Sequence, residues 1–543
     1  MNHGIFSIPG PVNEQPLNYA PGSEERKKLK EALSTAKSQV IDIPMIIGGK
    51  PVFSNKKMKI VPPHEINHIL GYFYEGGREH VEDAIKAAQH AKKEWEIMPW
   101  AERASVFLKA ADLISGPYRS KINAATMLGQ SKNAYQSDID AGCEMADFFR
   151  FNFKFTERIY SIQPNSAKGV WNRTDWRPLE GFVFALTPFN FTSIAGNLPT
   201  APAMLGNTVI WKPSRAQIYS ANVIMEILMQ AGLPDGVINM VSAPGPVTAE
   251  TILGHKDFGG IHFTGSPEVF QNMWSTIAMN LPKYKSYPRI VGETGGKDFV
   301  MVHASANAKQ VATALVRGAF EYQGQKCSAV SRAYIPDTLW NEISGYMEED
   351  LRSMKMGGVE DFGNFINAVI DEASFKRLSG VIDRVKVSRE AKVIMGGNYD
   401  KSVGFFIRPT VILTENPHFF TMEEEFFGPI LSVYVYPEKQ FDKVLTLCDQ
   451  TSPYALTGAI FARDREVINR AMSSLRYAAG NIYINDKPTA AIVSQQPFGG
   501  ARGSGTNDKA GSMLNLLRWL SPRSIKENFN PPTDYRYPFL YSD

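Results

Sequence analysis

Apolar residues at Val81, Ala84, Ile85, Ala88, Ala91 and Trp95 recur at the i, i+3, i+4, i+7 spacing, and a similar pattern runs over 103–113, which predicts an early layer of amphipathic helices. From about residue 181 the period changes. Short apolar runs at 182–186, 208–211, 237–241, 260–263 and 299–302 show no in/out alternation and are separated by helical stretches, as parallel strands covered on both faces would be. Between two of them a helix over 216–231 is stopped by Gly232 and by Pro234 two residues on. The middle of the chain therefore predicts a doubly wound α/β unit that begins near Pro44 with the helical layer. After Gly292 a second α/β series follows, with helices over 308–322 and 339–354 and strands over 331–335 and 430–436. Residues 1–43 are turn-rich and then helical from Glu24 to about Lys37, and they read as an arm wrapped on the body. The stretch 161–177 lacks a helical period and lies between helices and strands as an insertion would.

At 543 residues, 43% apolar and 21% charged, the chain has a folded, globular composition and room for two or three domains. Lys plus Arg number 58 against 55 Asp plus Glu. That balance implies neither a nucleic-acid partner nor a membrane surface, and leaves a small molecule as the expected substrate. Three cysteines, Cys143, Cys327 and Cys448, cannot build a disulfide framework or a four-thiolate zinc site, so a reducing compartment is expected. No apolar run reaches the roughly 18 residues that span a bilayer, and the first twenty residues carry neither a signal nor a transit pattern. The expectation is a cytoplasmic protein, or one of the mitochondrial matrix whose presequence is missing. The histidines show no ligand spacing, so no metal is expected.

Four places carry candidate chemistry. Cys327 lies in Gly324-Gln325-Lys326-Cys327-Ser328, where it is either an inert buried thiol or a nucleophile whose pKa Lys326 could lower. Glu293, flanked by glycines in Gly292-Glu293-Thr294-Gly295-Gly296, is either a solvated loop acid or a carboxylate with backbone room for a ligand. Asn190 directly follows a buried strand, where an amide can donate to a ligand oxygen or simply make a turn. Gly265-Ser266-Pro267-Glu268 is a strong helix start after a strand, hence a ready anion site, although neither G-x-G-x-x-G nor a Walker A sequence occurs.

Taken together, the blocks EGFVFALTPFNFTSIAGNLPTAPAMLGNTVIWKPS, GIHFTGS, GETGGKDFV, FEYQGQKCSAVSRAY, EEEFFGPILSVYVYP and GNIYINDKPTAAIVSQQPFGGARGSGTND resemble the aldehyde dehydrogenase superfamily, and within it the 1-pyrroline-5-carboxylate dehydrogenase branch. The resemblance runs from about Glu24 to the C-terminus. It implies an α/β aldehyde dehydrogenase fold with a Rossmann-like dinucleotide-binding domain (44–160 and 178–291), an α/β catalytic domain (292–510) and a small β oligomerisation flap (161–177 and 511–543). It further implies that Cys327 is the nucleophile, forming a thiohemiacetal and then a thioester, that Asn190 helps hold the oxyanion, and that Glu293 activates the hydrolytic water. Lys212 and Glu425 would contact the riboses of NAD, Ser266 the pyrophosphate, and Phe427 the nicotinamide. Ser328 and the backbone of Ala490-Ala491 would grip the substrate's α-carboxylate, with Lys326, Phe191 and Phe498 lining the tunnel.

The resemblance thus implies NAD-dependent oxidation of L-glutamate 5-semialdehyde to L-glutamate in proline catabolism, by a homodimer, with proline dehydrogenase on a separate chain. Two positions depart from the family pattern. Ala490 stands where glycine is usual, and Arg215 stands where relatives often carry a ribose-binding acid, so NADP remains possible beside NAD. Other readings are a dehydrogenase for a different semialdehyde and a catalytically silent structural homologue. Glu293 speaks against a CoA-acylating variant.

Overall fold

Strand Phe182–Leu186 is almost wholly buried along its length, which requires cover on both faces of the sheet it joins. In the computed structural model, which describes residues 4–489 and 491–542, it lies inside a seven-stranded sheet. The spatial order is Arg289–Glu293, Phe258–Thr264, Phe182–Leu186, Thr208–Lys212, Ile238–Met240, Met45–Ile47 and Lys50–Val52. The first five are mutually parallel, and the hairpin 45–52 closes the edge antiparallel. One face packs on helix Arg78–Trp95, whose Val81, Ala84, Ile85 and Ala88 meet Phe184 and Ile210. The other packs on helices Trp100–Ser115, Thr192–Met204 and Ile218–Ala231, around Trp211 and Val183. Burial of each large side chain here contributes about 1.5–3 kcal/mol.

The chain builds this sheet from Phe182–Leu186 outward to Ile238–Met240, then returns to place Phe258–Thr264 on the opposite side of the first strand. That reversal makes a crevice at the strands' carboxyl ends, the usual ligand site of open α/β sheets. Register keeps those ends level, with Leu186 opposite both Lys212 and Phe263, and Thr264 opposite Glu293.

The second sheet also has seven strands: Ala391–Met395, Thr410–Thr414, Ile430–Tyr436, Val330–Pro336, Asp298–Val302, Thr457–Phe461 and Asn481–Ile484, all parallel except the first. The apolar run at 299–302, grouped by its pattern with the middle strands, belongs here. The fifth parallel strand of the first sheet is instead Arg289–Glu293, whose charged ends and Gly292 disguise it as a loop. The segment 161–177 does contain a strand. Val170–Pro178 pairs antiparallel with Leu520–Asn528, so two segments some 350 positions apart form one ribbon, half-buried along its first strand and largely exposed along its second.

Near the N-terminus, helix Glu24–Ser38 is capped by Ser23, and its Leu29 and Leu33, one turn apart, are buried. Among the described residues no helix is long and apolar enough to cross a membrane.

Candidate active site

Glu293 ends the first sheet and Asp298 begins a strand of the second, so only Thr294-Gly295-Gly296-Lys297 pass between them. The carboxyl edge of one sheet therefore meets the amino edge of the other at this crossing. A side chain on Gly296 would lie 2.5 Å from the Cys327 carbonyl oxygen, so the crossing and the cysteine loop touch backbone to backbone.

Cys327 reaches that position through an abrupt stop. Helix Ala308–Phe320 runs into a turn in which Tyr322 (φ 52°) and Gln323 (φ 54°) are left-handed, a conformation that costs about 1–3 kcal/mol per non-glycine residue. The Gln323 side chain holds the turn, donating to the Ser131 and Ala368 carbonyls (2.9 and 2.8 Å) and accepting from Asn367 N–H (3.1 Å). Gly324 (φ 64°) follows, where any side chain would collide with the Gly428 carbonyl. The Gln325 side-chain oxygen then accepts from Ile370 N–H (2.9 Å), and its carbonyl accepts from Asn190 Nδ2 (3.1 Å). Asn190 and the cysteine loop are thus directly joined, with Asn190 buried.

Sequence reasoning allowed Lys326 to depress the thiol pKa. The structure corrects this: the Lys326 ammonium is paired with Glu321 at 3.0 Å. Burial pushes the Cys327 thiol well up, and the carboxyls of Asp298, Glu425 and Glu293 push it the same way, with the Ser328 N–H opposing. The other two cysteines are buried, Cys143 in a π-helical turn against Arg119 and Cys448 in helix Phe441–Gln450.

Burial also raises the Glu293 carboxyl well above the usual carboxylate range, while the Gly500 N–H, which donates to it at 2.8 Å, and the Lys509 ammonium act in the opposite sense. Glu425 sits on the crossing itself and accepts from Gly296 N–H at 2.9 Å, its pKa raised to about 7 by burial. Next to it Phe427 is left-handed (φ 54°) and sets its ring edge-to-face on Phe189, 5.6 Å between centroids.

At the switch-point crevice, Lys212 ends its strand with a mostly buried ammonium that has no hydrogen-bond or ion-pair partner among the described residues, and burial lowers its pKa. Ser266 caps helix Pro267–Asn280, accepting from Val269 N–H at 3.4 Å, one strand away. Arg215 is engaged: its guanidinium lies on the buried carboxylate of Glu75, which also takes Lys56.

Phe191 heads helix Thr192–Met204, and the buried Lys132 ammonium stands 4.3 Å from its ring centroid. Ser328 is buried, and its hydroxyl makes no hydrogen bond to another described residue. Phe498 pairs through its backbone with Ala510, next to the Gly499-Gly500 segment that meets Glu293. Ala491 is half-buried, and Ala490 lies outside the described residues. Sequence reasoning missed Asp298, Gln325 and Gly500 as members of this site. All three lie within the blocks that carry the resemblance, but Gly500 is 207 positions from the carboxylate it contacts, a pairing no local signal shows.

Residues 52–524 match the profile of the aldehyde dehydrogenase family. Among curated proteins, the chain is 49% identical to the mitochondrial delta-1-pyrroline-5-carboxylate dehydrogenase of Dictyostelium discoideum, covering 98% of this chain and 96% of that one. It is also 49% identical to the delta-1-pyrroline-5-carboxylate dehydrogenase of Agaricus bisporus, over 98% of both. Among solved structures, that of the delta-pyrroline-5-carboxylate dehydrogenase from Mycobacterium tuberculosis bound with NAD superposes with a TM-score of 0.97 at 50% identity, covering 100% of both chains.

Proposed function

This chain belongs to the aldehyde dehydrogenase family, and from that premise we propose that it oxidises L-glutamate 5-semialdehyde, which forms from 1-pyrroline-5-carboxylate, to L-glutamate with NAD. The observation that carries this reading is the meeting of a cysteine, a raised carboxyl and a side-chain amide at the junction of two mostly parallel sheets, in a chain that matches delta-1-pyrroline-5-carboxylate dehydrogenases over nearly its whole length.

The dinucleotide fits the crevice by the chemistry found there. Lys212 offers a buried ammonium without a partner, and the helix start at Ser266 offers backbone N–H groups to a phosphate. Glu425 and Phe427 would support its nicotinamide end, and engagement of Arg215 by Glu75 supports NAD over NADP. When bound, NAD supplies the hydride acceptor.

The chain's own residues do the rest. The Cys327 thiol releases its proton to solvent and the thiolate sulfur attacks the aldehyde carbon, whose π electrons move to oxygen, and the developing oxyanion meets the Asn190 amide and the Cys327 N–H. After oxidation to the thioester, Glu293 takes a proton from water as the water attacks, and the carboxylate product leaves as the thiol is restored. A base whose pKa is raised toward the working pH suits that step. Phe191, Lys326 and Phe498 would line the substrate tunnel.

Ser328, with the Ala490-Ala491 backbone, names the substrate in this reading. A carboxylate entering a partly desolvated pocket needs donors, each worth about 1.5–3 kcal/mol when the bond is charge-assisted. Ser328→Ala is therefore expected to weaken apparent affinity for glutamate semialdehyde roughly 10- to 150-fold, and to cost hexanal far less. Steady-state kinetics with both aldehydes check this. Equal losses would reduce Ser328 to a shaper of the cysteine loop and favour a different semialdehyde.

We further propose a homodimer in which the ribbon of Val170–Pro178 and Leu520–Asn528 serves as the oligomerisation flap. A two-stranded ribbon is marginal alone, and Trp171, Phe529, Tyr535, Tyr537 and Phe539 are more than half exposed. Light scattering at micromolar concentration should give twice the chain mass, and a monomer would overturn this. Relatives of similar length carry the dehydrogenase name alone, which supports a separate chain for the preceding proline oxidation. The proposed compartment is the cytoplasm, or the mitochondrial matrix where a presequence precedes the chain, and the mitochondrial name of the Dictyostelium relative favours the second.

A further inference from the structure

The loop that carries Ala491 lies far from the N-terminus in sequence and in contact with it in space. It turns on itself: the Ile492 carbonyl accepts from Gln495 and Gln496 N–H (3.0 Å each), and Ile492 N–H donates to the Gln496 side chain (3.0 Å). Such a turn fixes its own shape but not its place on the body. Val493 is buried in the core of the first unit and supplies one attachment. Asn13, 480 positions upstream, supplies another: its Nδ2 donates to the Val493 carbonyl at 3.0 Å, and its Oδ1 accepts from Gln495 Nε2 at 2.9 Å. Both bonds fall two to four residues beyond Ala491.

Asn13 is itself held. The same Nδ2 donates to Asp147 Oδ2 at 2.9 Å, and the next residue's N–H donates to Asp147 Oδ1 at 2.8 Å, so one carboxylate on helix Met145–Tyr160 grips the arm at two successive residues. The Glu14 carboxylate bridges Arg119 and Arg150 at 3.0 and 2.8 Å. Further along, Leu17 N–H and the Tyr19 hydroxyl both donate to Asp138, each at 2.8 Å, a carboxylate that also takes the Arg119 guanidinium. On the other side of Asn13, Ile8 N–H meets Glu157 at 2.9 Å and its carbonyl meets Lys154 at 3.0 Å. An extended segment without regular structure, tied by buried or half-buried charges on both sides of one asparagine, is a fixed post and not a loose tail.

We propose that the arm is a strap for the substrate-carboxylate loop, and that Asn13 is a positioning residue for substrate selectivity. It touches no reacting atom, and it sets where the loop's backbone donors stand relative to Ser328. The inference rests on the proposed reading of Ser328 and the Ala491 backbone as part of the carboxylate site. Recognition of a carboxylate by fixed backbone donors is steep in distance, so loosening the loop weakens a carboxylate-bearing aldehyde while leaving one without that group nearly unaffected.

The test pairs Asn13→Ala with Ser328→Ala in the full-length protein. Hydrogen–deuterium exchange over 491–496 and kcat/KM for glutamate semialdehyde and for hexanal are measured on both. For Asn13→Ala, faster exchange over 491–496 and about a tenfold drop in the ratio of the two kcat/KM values are expected, as for loss of about 1.4 kcal/mol of loop-fixing interaction. Unchanged exchange with an unchanged ratio would overturn the strap, and so would equal losses on both aldehydes, which would mark Asn13 as merely structural. If Ser328→Ala leaves the ratio unchanged while Asn13→Ala still speeds exchange, the carboxylate-site reading falls and the selectivity role of Asn13 falls with it. Asn13→Asp guards against a general loss of packing. It keeps the shape but replaces the donor with a carboxylate facing Asp147 and the Val493 carbonyl, and it is expected to match or exceed the alanine variant.

Discussion

Replacing Cys327 with alanine is expected to lower aldehyde oxidation by about 10⁴- to 10⁶-fold, the scale on which removal of a covalent nucleophile acts, while NAD binding read by protein fluorescence is retained. The two effects separate because the thiol lies at the amino edge of the second sheet, whereas Lys212 and Ser266 lie at the carboxyl edge of the first. A companion result concerns pH. Burial and three nearby carboxyls raise the thiol pKa, so in the cofactor-free protein the reactive thiolate is scarce at neutral pH. Alkylation of Cys327 by iodoacetamide, followed by peptide mass, should therefore be slow at pH 7 and keep climbing with pH beyond the range where an ordinary thiol has levelled off. Cys143 and Cys448 should lag behind it, since both are buried whereas Cys327 is partly accessible. Substantial turnover by Cys327→Ala would remove the nucleophile assignment, and fast alkylation at neutral pH would show that the thiol is activated before any cofactor arrives.

The second large effect is that of Glu293→Gln. Acylation should survive and deacylation should not, so mixing enzyme, NAD and semialdehyde yields a rapid burst of NADH close to one equivalent per site, then a steady rate lowered by about 10²- to 10⁴-fold. The amide keeps the shape and can still face the Gly500 N–H, so folding is not the issue. For the unaltered enzyme the sign of the pH effect follows from the raised carboxyl. Only the deprotonated form accepts a proton from water, so the deacylation rate should increase as pH rises through that raised value. Rapid-mixing absorbance at the NADH band reads both. Equal loss of burst and steady rate would place Glu293 in the first half of the reaction.

The five parallel strands of the first sheet show how far local pattern reaches. Four of them announce themselves as unbroken apolar runs, because a strand buried on both faces has no polar side to show. Arg289–Glu293 does not, because its ends and Gly292 serve the crossing and the site more than the core. The flap is a sharper case. Neither Val170–Pro178 nor Leu520–Asn528 has a pattern of its own, since each is stabilised by the other and hardly enters the core; the family resemblance grouped the two segments, and the folded chain gives their pairing and register.

The chemistry divides in the same way. Sequence alone determined which residues are available: a cysteine in a loop after a helix, a carboxylate among glycines, an amide after a strand, and the ordered blocks that carry the family resemblance. These are properties of short segments, and short segments are what a sequence displays. Tertiary structure alone decided the electrostatics and the supports. Lys326 is adjacent to Cys327 in the chain, yet its charge is directed to Glu321, while Asp298 and Glu425, 29 and 98 positions away, push the thiol upward. Gly500 holds Glu293, and Asn13 holds the loop beyond Ala491, across 207 and 480 positions. Desolvation and charge coupling depend on distance through space, and that distance is set only when two seven-stranded sheets meet edge to edge at four residues of chain.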